Sequence, residues 1–160
     1  MKKLILYTVF LIFYSSNSTA QQQKEQKVFP VTKSDTEWKA QLSDLEYYVL
    51  REAGTERQFS SALNNNYNKG TYICVACKTP LFESDYKYDS KSGWPSFDRE
   101  IKNNVAFSTD YDLGFAYTEE HCATCGSHLG HVFNDGPKNT TGKRHCINGV
   151  ALKFVSKKNE

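Results

Sequence analysis

Thr71-Tyr72-Ile73-Cys74-Val75-Ala76-Cys77-Lys78-Thr79 and Glu119-Glu120-His121-Cys122-Ala123-Thr124-Cys125-Gly126-Ser127 together decide how this chain folds. Each stretch carries a Cys-x-x-Cys pair, and forty-four residues separate the first pair from the second. One such loop presents two thiolates to one side of a metal, and two loops complete a tetrahedron. The residues after each pair, Lys78-Thr79 and Gly126-Ser127, are of the turn-forming type that lets the thiolates converge. Cys74, Cys77, Cys122 and Cys125 therefore read as one structural Zn2+ site. Four thiolates leave no open coordination position, and tying two distant segments together contributes folding free energy rather than chemistry. Disulfides are the alternative, because an even set of cysteines outside the cytoplasm is commonly bridged. In either case Cys146 is left over.

The compartment is read from the N-terminus. Lys2 and Lys3 precede an apolar run from Leu4 to Tyr14, and a polar stretch ends in Ser18-Thr19-Ala20. That is the pattern of a signal peptide over residues 1–20, with cleavage after Ala20. The apolar run is about half the ~20 residues needed to span a bilayer, which argues against an uncleaved anchor. Residues 21–33 open with a Gln/Lys-rich segment and read as a flexible tether. Removing two lysines and no acids takes the formal charge from +2 to about zero. A near-neutral chain lacks the basic stripe of a nucleic-acid binder. The mature protein is expected to be exported, monomeric and without stable membrane association.

Residues 34–156 then form one domain with a single core. Ser34-Asp35-Thr36-Glu37 and Ser43-Asp44-Leu45-Glu46 both fit the capping box, a serine followed three residues later by glutamate. They predict helices over Thr36–Leu42 and Asp44–Glu52, with Gly54 as the stop. After Gly70 the chain turns to Thr, Tyr, Val, Ile and Phe in short runs broken by Gly, Asn and Asp. Strands are predicted over Thr71–Cys74, Val105–Asp110, Phe115–His121, Leu129–Phe133 and His145–Val155, with a hairpin at Asp112-Leu113-Gly114. The fold class is mainly β (α+β), with short helices at one end of an antiparallel sheet system.

In the run Arg144-His145-Cys146-Ile147-Asn148, strand alternation places Arg144, Cys146 and Asn148 on one face. A guanidinium beside a thiol favours thiolate and lowers its pKa, and an amide can hold a substrate oxygen. A buried inert cysteine is the plain alternative, and it fits poorly with polar neighbours on the same face. Upstream, His128 and His131 stand three apart in His-Leu-Gly-His-Val-Phe. A regular strand would point them to opposite faces, and Gly130 permits a bulge that turns both to one side. Ser92-Gly93-Trp94-Pro95-Ser96-Phe97 is aromatic and turn-forming, as a core anchor or a pocket wall would be.

Taken together, Gly93-Trp94-Pro95-Ser96-Phe97, His128 to Phe133 with Asp135-Gly136-Pro137, and Arg144 to Asn148 resemble the signatures of peptide methionine sulfoxide reductase B. The paired Cys-x-x-Cys motifs resemble the zinc-binding members, and the likeness runs from about Ser34 to Phe154. The resemblance implies two antiparallel sheets with helices on the N-terminal side. It implies Cys146 as the nucleophile toward methionine-R-sulfoxide in oxidised proteins. His128, His131 and Asn148 would surround the sulfoxide oxygen, and Arg144 and Asp135 would shape and polarise the site. Trp94 would receive the substrate methyl group, with Phe97 also on the substrate side. A thiolate nucleophile with acid assistance at oxygen suits that reaction, which leaves a cysteine sulfenic acid.

The chain departs from the family at Ser92, where many members carry a resolving cysteine. With four thiols given to zinc, no spare cysteine remains, and a thioredoxin-like protein or a small thiol is expected to reduce Cys146 directly. His145 stands where Tyr or Phe is common, and by parity it points away from the active face. Two rivals belong to other classes: a zinc-ribbon binding module with Cys146 incidental, and a thiol oxidoreductase using one Cys-x-x-Cys as its redox pair. About one tightly held zinc per chain would exclude the second, and loss of function in Cys146→Ser would exclude the first.

Overall fold

The computed structural model of the protein describes residues 28–110 and 117–157. The signal segment, most of the tether and the Asp112-Leu113-Gly114 turn lie outside them. Among the described residues no helix is long and apolar enough to cross a membrane.

Both predicted capping boxes form. Helix α1 (Asp35–Gln41) starts at Ser34 and α2 (Asp44–Glu52) at Ser43; each serine side chain accepts the N–H three residues on, and Glu37 and Glu46 reach back to the serine N–H. The stop of α2 differs from expectation, because the left-handed residue is Ala53 (φ 55°). Gly54 follows it and lies against the Tyr48 ring, where a Cβ would collide.

Among the described residues nine strands follow in two antiparallel sheets. The smaller has the order β2 (Pro80–Glu83), β1 (Gly70–Cys74), β9 (Leu152–Ser156). The larger runs β3 (Lys87–Tyr88), β4 (Ser96–Phe97), β8 (Arg144–Ile147), β7 (His128–Phe133), β6 (Tyr117–Cys122), β5 (Val105–Asp110). Phe82 of the small sheet stacks on Phe97 of the large one at 4.4 Å, and Tyr72 meets Phe97 edge-on at 5.0 Å. This aromatic contact joins the sheets, and Trp38, Val49, Leu50, Leu81, Leu129 and Ile147 complete the core.

Three differences from the sequence expectation matter for the site. The strands β2, β3 and β4 carry little pattern of their own, because two of them are only two residues long and take their pairing from neighbours. The predicted single strand His145–Val155 is two strands, broken by a 3-10 turn at Gly149–Ala151. The break has a cause: the Glu56 carboxylate accepts the N–H groups of Gly149 (2.6 Å) and Val150 (2.9 Å), which removes them from any ladder. The chain thereby passes from the large sheet to the small one. Finally, the ordered domain begins before Ser34. Val31 donates its N–H to the Thr124 carbonyl at 2.8 Å, and the Phe29 ring lies over Gly126 and 5.8 Å from the His121 ring.

Candidate active site and candidate metal centre

The two Cys-x-x-Cys loops have the same hydrogen-bond pattern. Cys74 N–H bonds the Thr79 carbonyl (2.8 Å) and Lys78 N–H the Cys74 carbonyl (2.9 Å). Cys122 N–H bonds the Ser127 carbonyl (2.9 Å) and Gly126 N–H the Cys122 carbonyl (2.9 Å). Lys78 (φ 67°) and Gly126 (φ 68°) occupy the same left-handed position, which turns each loop back on itself. A hydroxyl two residues after the second cysteine lies on its sulfur in both, Thr79 at 3.1 Å and Ser127 at 3.2 Å.

The four sulfurs lie within 4.8 Å of one another, with Cys74 to Cys125 at 3.8 Å and Cys77 to Cys122 at 3.5 Å. A disulfide needs about 2.05 Å, and all five cysteines are unbridged. Tetrahedral thiolate ligation with metal–sulfur bonds of about 2.3 Å puts sulfurs about 3.8 Å apart. The donor set fits such an ion. The cluster is also a junction, because β1 of the small sheet ends at Cys74 and β6 of the large sheet at Cys122. Each helix reaches one loop: Gln41 donates to the Ala76 carbonyl (2.6 Å) and Arg51 to the Cys125 carbonyl (3.1 Å).

Cys146 stands apart, in the middle of the large sheet. Register places Tyr88, Ser96, Cys146, His131, Glu119 and Ser108 directly opposite one another across its six strands. Cross-strand partners share a face, so this is one polar row with the thiol at its centre. The other face is core: His145 and Ile147 are buried. His145 does point away from the thiol. Its Nδ1 lies 2.6 Å from Glu120 and its Nε2 3.5 Å from Glu100. Burial pushes the Glu120 carboxyl up against the pull of His145.

The expected bulge is present. Glu120 faces Gly130 but His121 faces His128, so Leu129 is the extra residue. Both histidine rings consequently lie together, 5.4 Å apart. A Cβ on Gly130 would collide with the Cys146 carbonyl oxygen, so only glycine lets β7 approach β8 this closely. His128 is buried with Nδ1 2.8 Å from Glu119, and Ser108 donates to the same carboxylate at 2.7 Å. These bonds, with His128 first, hold the Glu119 carboxyl at about 2. The imidazole's other nitrogen, Nε2, makes no hydrogen bond to another described residue.

Thr55, Trp94, Gly130, His131, Phe133, Cys146 and Asn148 line a cavity of about 240 Å³. Trp94 is its aromatic wall, held by a bond from its indole N–H to the Glu56 carbonyl (3.1 Å). Asn148 reaches the cavity, yet its amide is committed to the backbone, accepting from Glu56 N–H (2.9 Å) and donating to the Leu129 carbonyl (3.0 Å). Phe97 lies in the core under Tyr72 and Phe82 with no exposed surface, away from the cavity. Its neighbour Ser96 pairs with Cys146, so Phe97 seats the strand rather than touching what enters.

Arg144 is gripped by Asp135 through two bonds of 2.8 and 2.9 Å and lies over the Phe133 ring at 4.4 Å. Its charge favours a Cys146 thiolate, as expected, but the net effect is reversed. Burial pushes the Cys146 thiol up, and the Ser92 hydroxyl and Arg144 pull it only part of the way back. The desolvation of a charge among apolar walls outweighs one guanidinium already shared with a carboxylate.

Sequence reading missed Glu56, Thr55 and Glu119. The partners of the Glu56 carboxylate, Gly149 and Val150, lie more than ninety residues away, so nothing local marks it. Glu119-Glu120 did carry a signal, two adjacent carboxylates in a strand-like run where glutamate is disfavoured.

A SelR domain profile matches residues 42–156. The peptide methionine sulfoxide reductase MsrB of Leptospira interrogans is 51% identical over 127 residues, which cover 79% of this chain and 96% of that protein. MsrB of Alteromonas mediterranea is 46% identical over 79% of this chain and 89% of its own. The chloroplastic peptide methionine sulfoxide reductase B1 of Arabidopsis thaliana is 44% identical over 90% of this chain and 74% of its own. With the sulfur cluster, the polar row and these likenesses in agreement, the chain belongs to the SelR-domain family of peptide methionine sulfoxide reductases, MsrB.

Proposed function

We propose that this protein reduces methionine-R-sulfoxide in oxidised proteins to methionine, with Cys146 as nucleophile. The observation that carries the reading is the cavity in which the Cys146 thiol, Trp94 and His131 meet. A methionine side chain entering it sets its methyl against the Trp94 ring and its sulfur against Cys146. The oxygen then lies toward the histidine side, where a proton makes it a leaving group. The bond between Glu119 and His128 Nδ1 fixes the imidazole and leaves Nε2 as the ring nitrogen open to a further hydrogen bond. Asn148, Asp135 and Arg144 act by holding shape: Asn148 ties β7 to the Glu56 segment, and Asp135 aims the guanidinium that favours the thiolate. The net step transfers oxygen, the Cys146 thiol and the sulfoxide becoming a Cys146 sulfenic acid and a thioether.

The second half of the cycle needs two reducing equivalents. One thiol forms a mixed disulfide with Cys146 as water leaves, and a second thiol releases Cys146 as a free thiol. Ser92, 3.7 Å from the Cys146 sulfur, is a hydroxyl, and the other four cysteines are gathered in the cluster. Both thiols are therefore external, from a thioredoxin-like protein or a small thiol. The cluster holds one Zn2+ as scaffold, with Cys74, Cys77, Cys122 and Cys125 as ligands; the ion there supplies fixed geometry and no catalytic step. The signal-peptide pattern at residues 1–20 supports export, so the reductant is one outside the cytoplasm.

The test is an assay on the separated R and S epimers of N-acetyl-methionine sulfoxide with wild type and Cys146→Ser. Turnover of the R epimer only, abolished in Cys146→Ser, is expected. Preference for the S epimer, or activity surviving the substitution, overturns the reading. Mass spectrometry after one turnover without reductant checks the second half: a sulfenic acid is expected, and an intramolecular disulfide at Cys146 refutes the external-thiol step.

A further inference from the structure

Beside Cys146, three serines form a continuous hydroxyl chain. Ser92 Oγ lies 3.7 Å from the Cys146 sulfur and 2.8 Å from Ser90 Oγ, and Ser90 Oγ lies 2.7 Å from Ser96 Oγ. Ser96 donates to the Trp94 carbonyl at 3.1 Å, and the backbone N–H groups of Ser92 and Trp94 are turned toward Ser90 Oγ (3.3 Å) and Ser92 Oγ (3.5 Å). The chain forms one margin of an open polar groove of about 440 Å³ lined by Tyr88 to Ser92, Asp135 to Pro137 and Arg144.

The carbonyl at its end gives the chain a direction. A carbonyl only accepts and a serine has one hydroxyl proton. With Ser96 donating to Trp94, Ser96 must accept from Ser90, and Ser90 must accept from Ser92. The one hydroxyl proton of Ser92 is then spent, so toward Cys146 it can only accept, from the thiol S–H. Every hydroxyl is satisfied when Cys146 is protonated. Forming the thiolate asks Ser92 to turn its proton to sulfur, which sets two acceptors against each other at 2.8 Å or forces the reversal to propagate until the Trp94 carbonyl loses its donor.

We propose that Ser90 and Ser96 form a proton-ordering device that turns the Ser92 hydroxyl away from Cys146 in the resting protein, with Ser92 the positioning residue that must reverse to donate to the thiolate. The charged and titratable groups on the Cys146 face are Arg144 on its own strand with Asp135 beyond it, His131 on β7, Glu119 on β6 and Tyr88 on β3. Glu120 acts on the thiol from the opposite face of the sheet. None is altered by the serine substitutions below. Burial raises the thiol and a bond donated by Ser92 lowers it, so the orientation imposed by Ser90 and Ser96 withholds the hydroxyl that would favour the anion.

The consequence is a pair of opposite shifts. Ser92→Ala removes the hydroxyl that lies on the Cys146 sulfur, and the apparent pKa of Cys146 is expected to rise by about one pH unit, as a lost charge-assisted bond would do. Ser90→Ala leaves Ser92 in place but takes away its acceptor, freeing its proton for sulfur, and the apparent pKa is expected to fall. Ser92→Thr keeps the hydroxyl and is expected to restore the wild-type value. The measurement is the pH dependence of iodoacetamide alkylation at the tryptic peptide holding Cys146, followed by mass spectrometry on the zinc-loaded full-length mature chain. Shifts of the same sign in Ser92→Ala and Ser90→Ala, or no shift in either, overturn the proposal. The inference takes its catalytic meaning from Cys146 as nucleophile, but alkylation reads the thiol without turnover. A protein inactive on both epimers that still shows the opposite shifts would sink the functional reading and leave this one standing.

Discussion

Glu119 shows how a single residue prepares the site. It sits opposite His131 and bonds His128, so one carboxylate addresses both imidazoles of the bulged strand. Its carboxyl, held at about 2 against an ordinary 4.5, is bound more tightly by the fold as an anion than as an acid. A depressed pKa contributes stability that is present above the ordinary value and is lost as pH falls through the lowered one. Glu119→Gln should therefore lower the folding free energy at pH 7 by an amount on the order of 1 kcal/mol, partial solvent exposure limiting the figure, with a matching fall in Tm. The gap between the two proteins should stay constant down to about pH 5 and narrow below it, as thermal melts at matched pH would record. A gap that widens on acidification would mean that the carboxylate is not the stabilising form. The His128–His131 pair was legible in the sequence as spacing plus a glycine, whereas the carboxylate that orients it was not. Its partnership exists only once β6 and β7 pair.

At the scale of elements, the bulge in β7 and the break between β8 and β9 do the positioning. Gly130 admits the Cys146 carbonyl where any side chain would collide, and the extra residue Leu129 turns His128 to the side of His131. Gly130→Ala is expected to force β7 away from β8, costing about 1–3 kcal/mol as overpacking does and lowering reductase activity at least about tenfold, because small misplacements of reacting groups are costly. Steady-state rates and a melt on the same preparation test this; unchanged activity would show that the close approach is not required. The helices were readable because a capping box is complete within four residues. The β8–β9 run was misread as one strand because its alternation continues, and the interruption comes from Glu56, distant in sequence. The strands β3 and β4 were invisible for the same reason: two residues have no period, and β8 supplies their place.

For the whole molecule, the sulfur cluster is where both sheets and both helices meet. The small sheet enters at Cys74 and the large sheet at Cys122, with Gln41 and Arg51 bonding the loops from the helices. Metal analysis should find about one zinc per chain in wild type and in Cys146→Ser alike. Stripping it with a chelator should remove several kcal/mol of folding free energy, a fall in Tm of about 10 °C or more for a domain of this size. Retained stability in the metal-free protein would reassign the cluster from scaffold to bystander.

The sequence by itself determined the division of the cysteines into four and one, the two helix starts and the three short motifs around the site, because each is written in residues close together. Tertiary structure alone decided that Phe97 belongs to the core, that Asn148 spends its amide on the backbone, that burial outweighs Arg144 at the thiol, and that Ser90 and Ser96 line up behind Ser92. Those outcomes depend on desolvation and on hydrogen-bond partners brought together by sheet pairing and loop packing, quantities that local spacing does not contain.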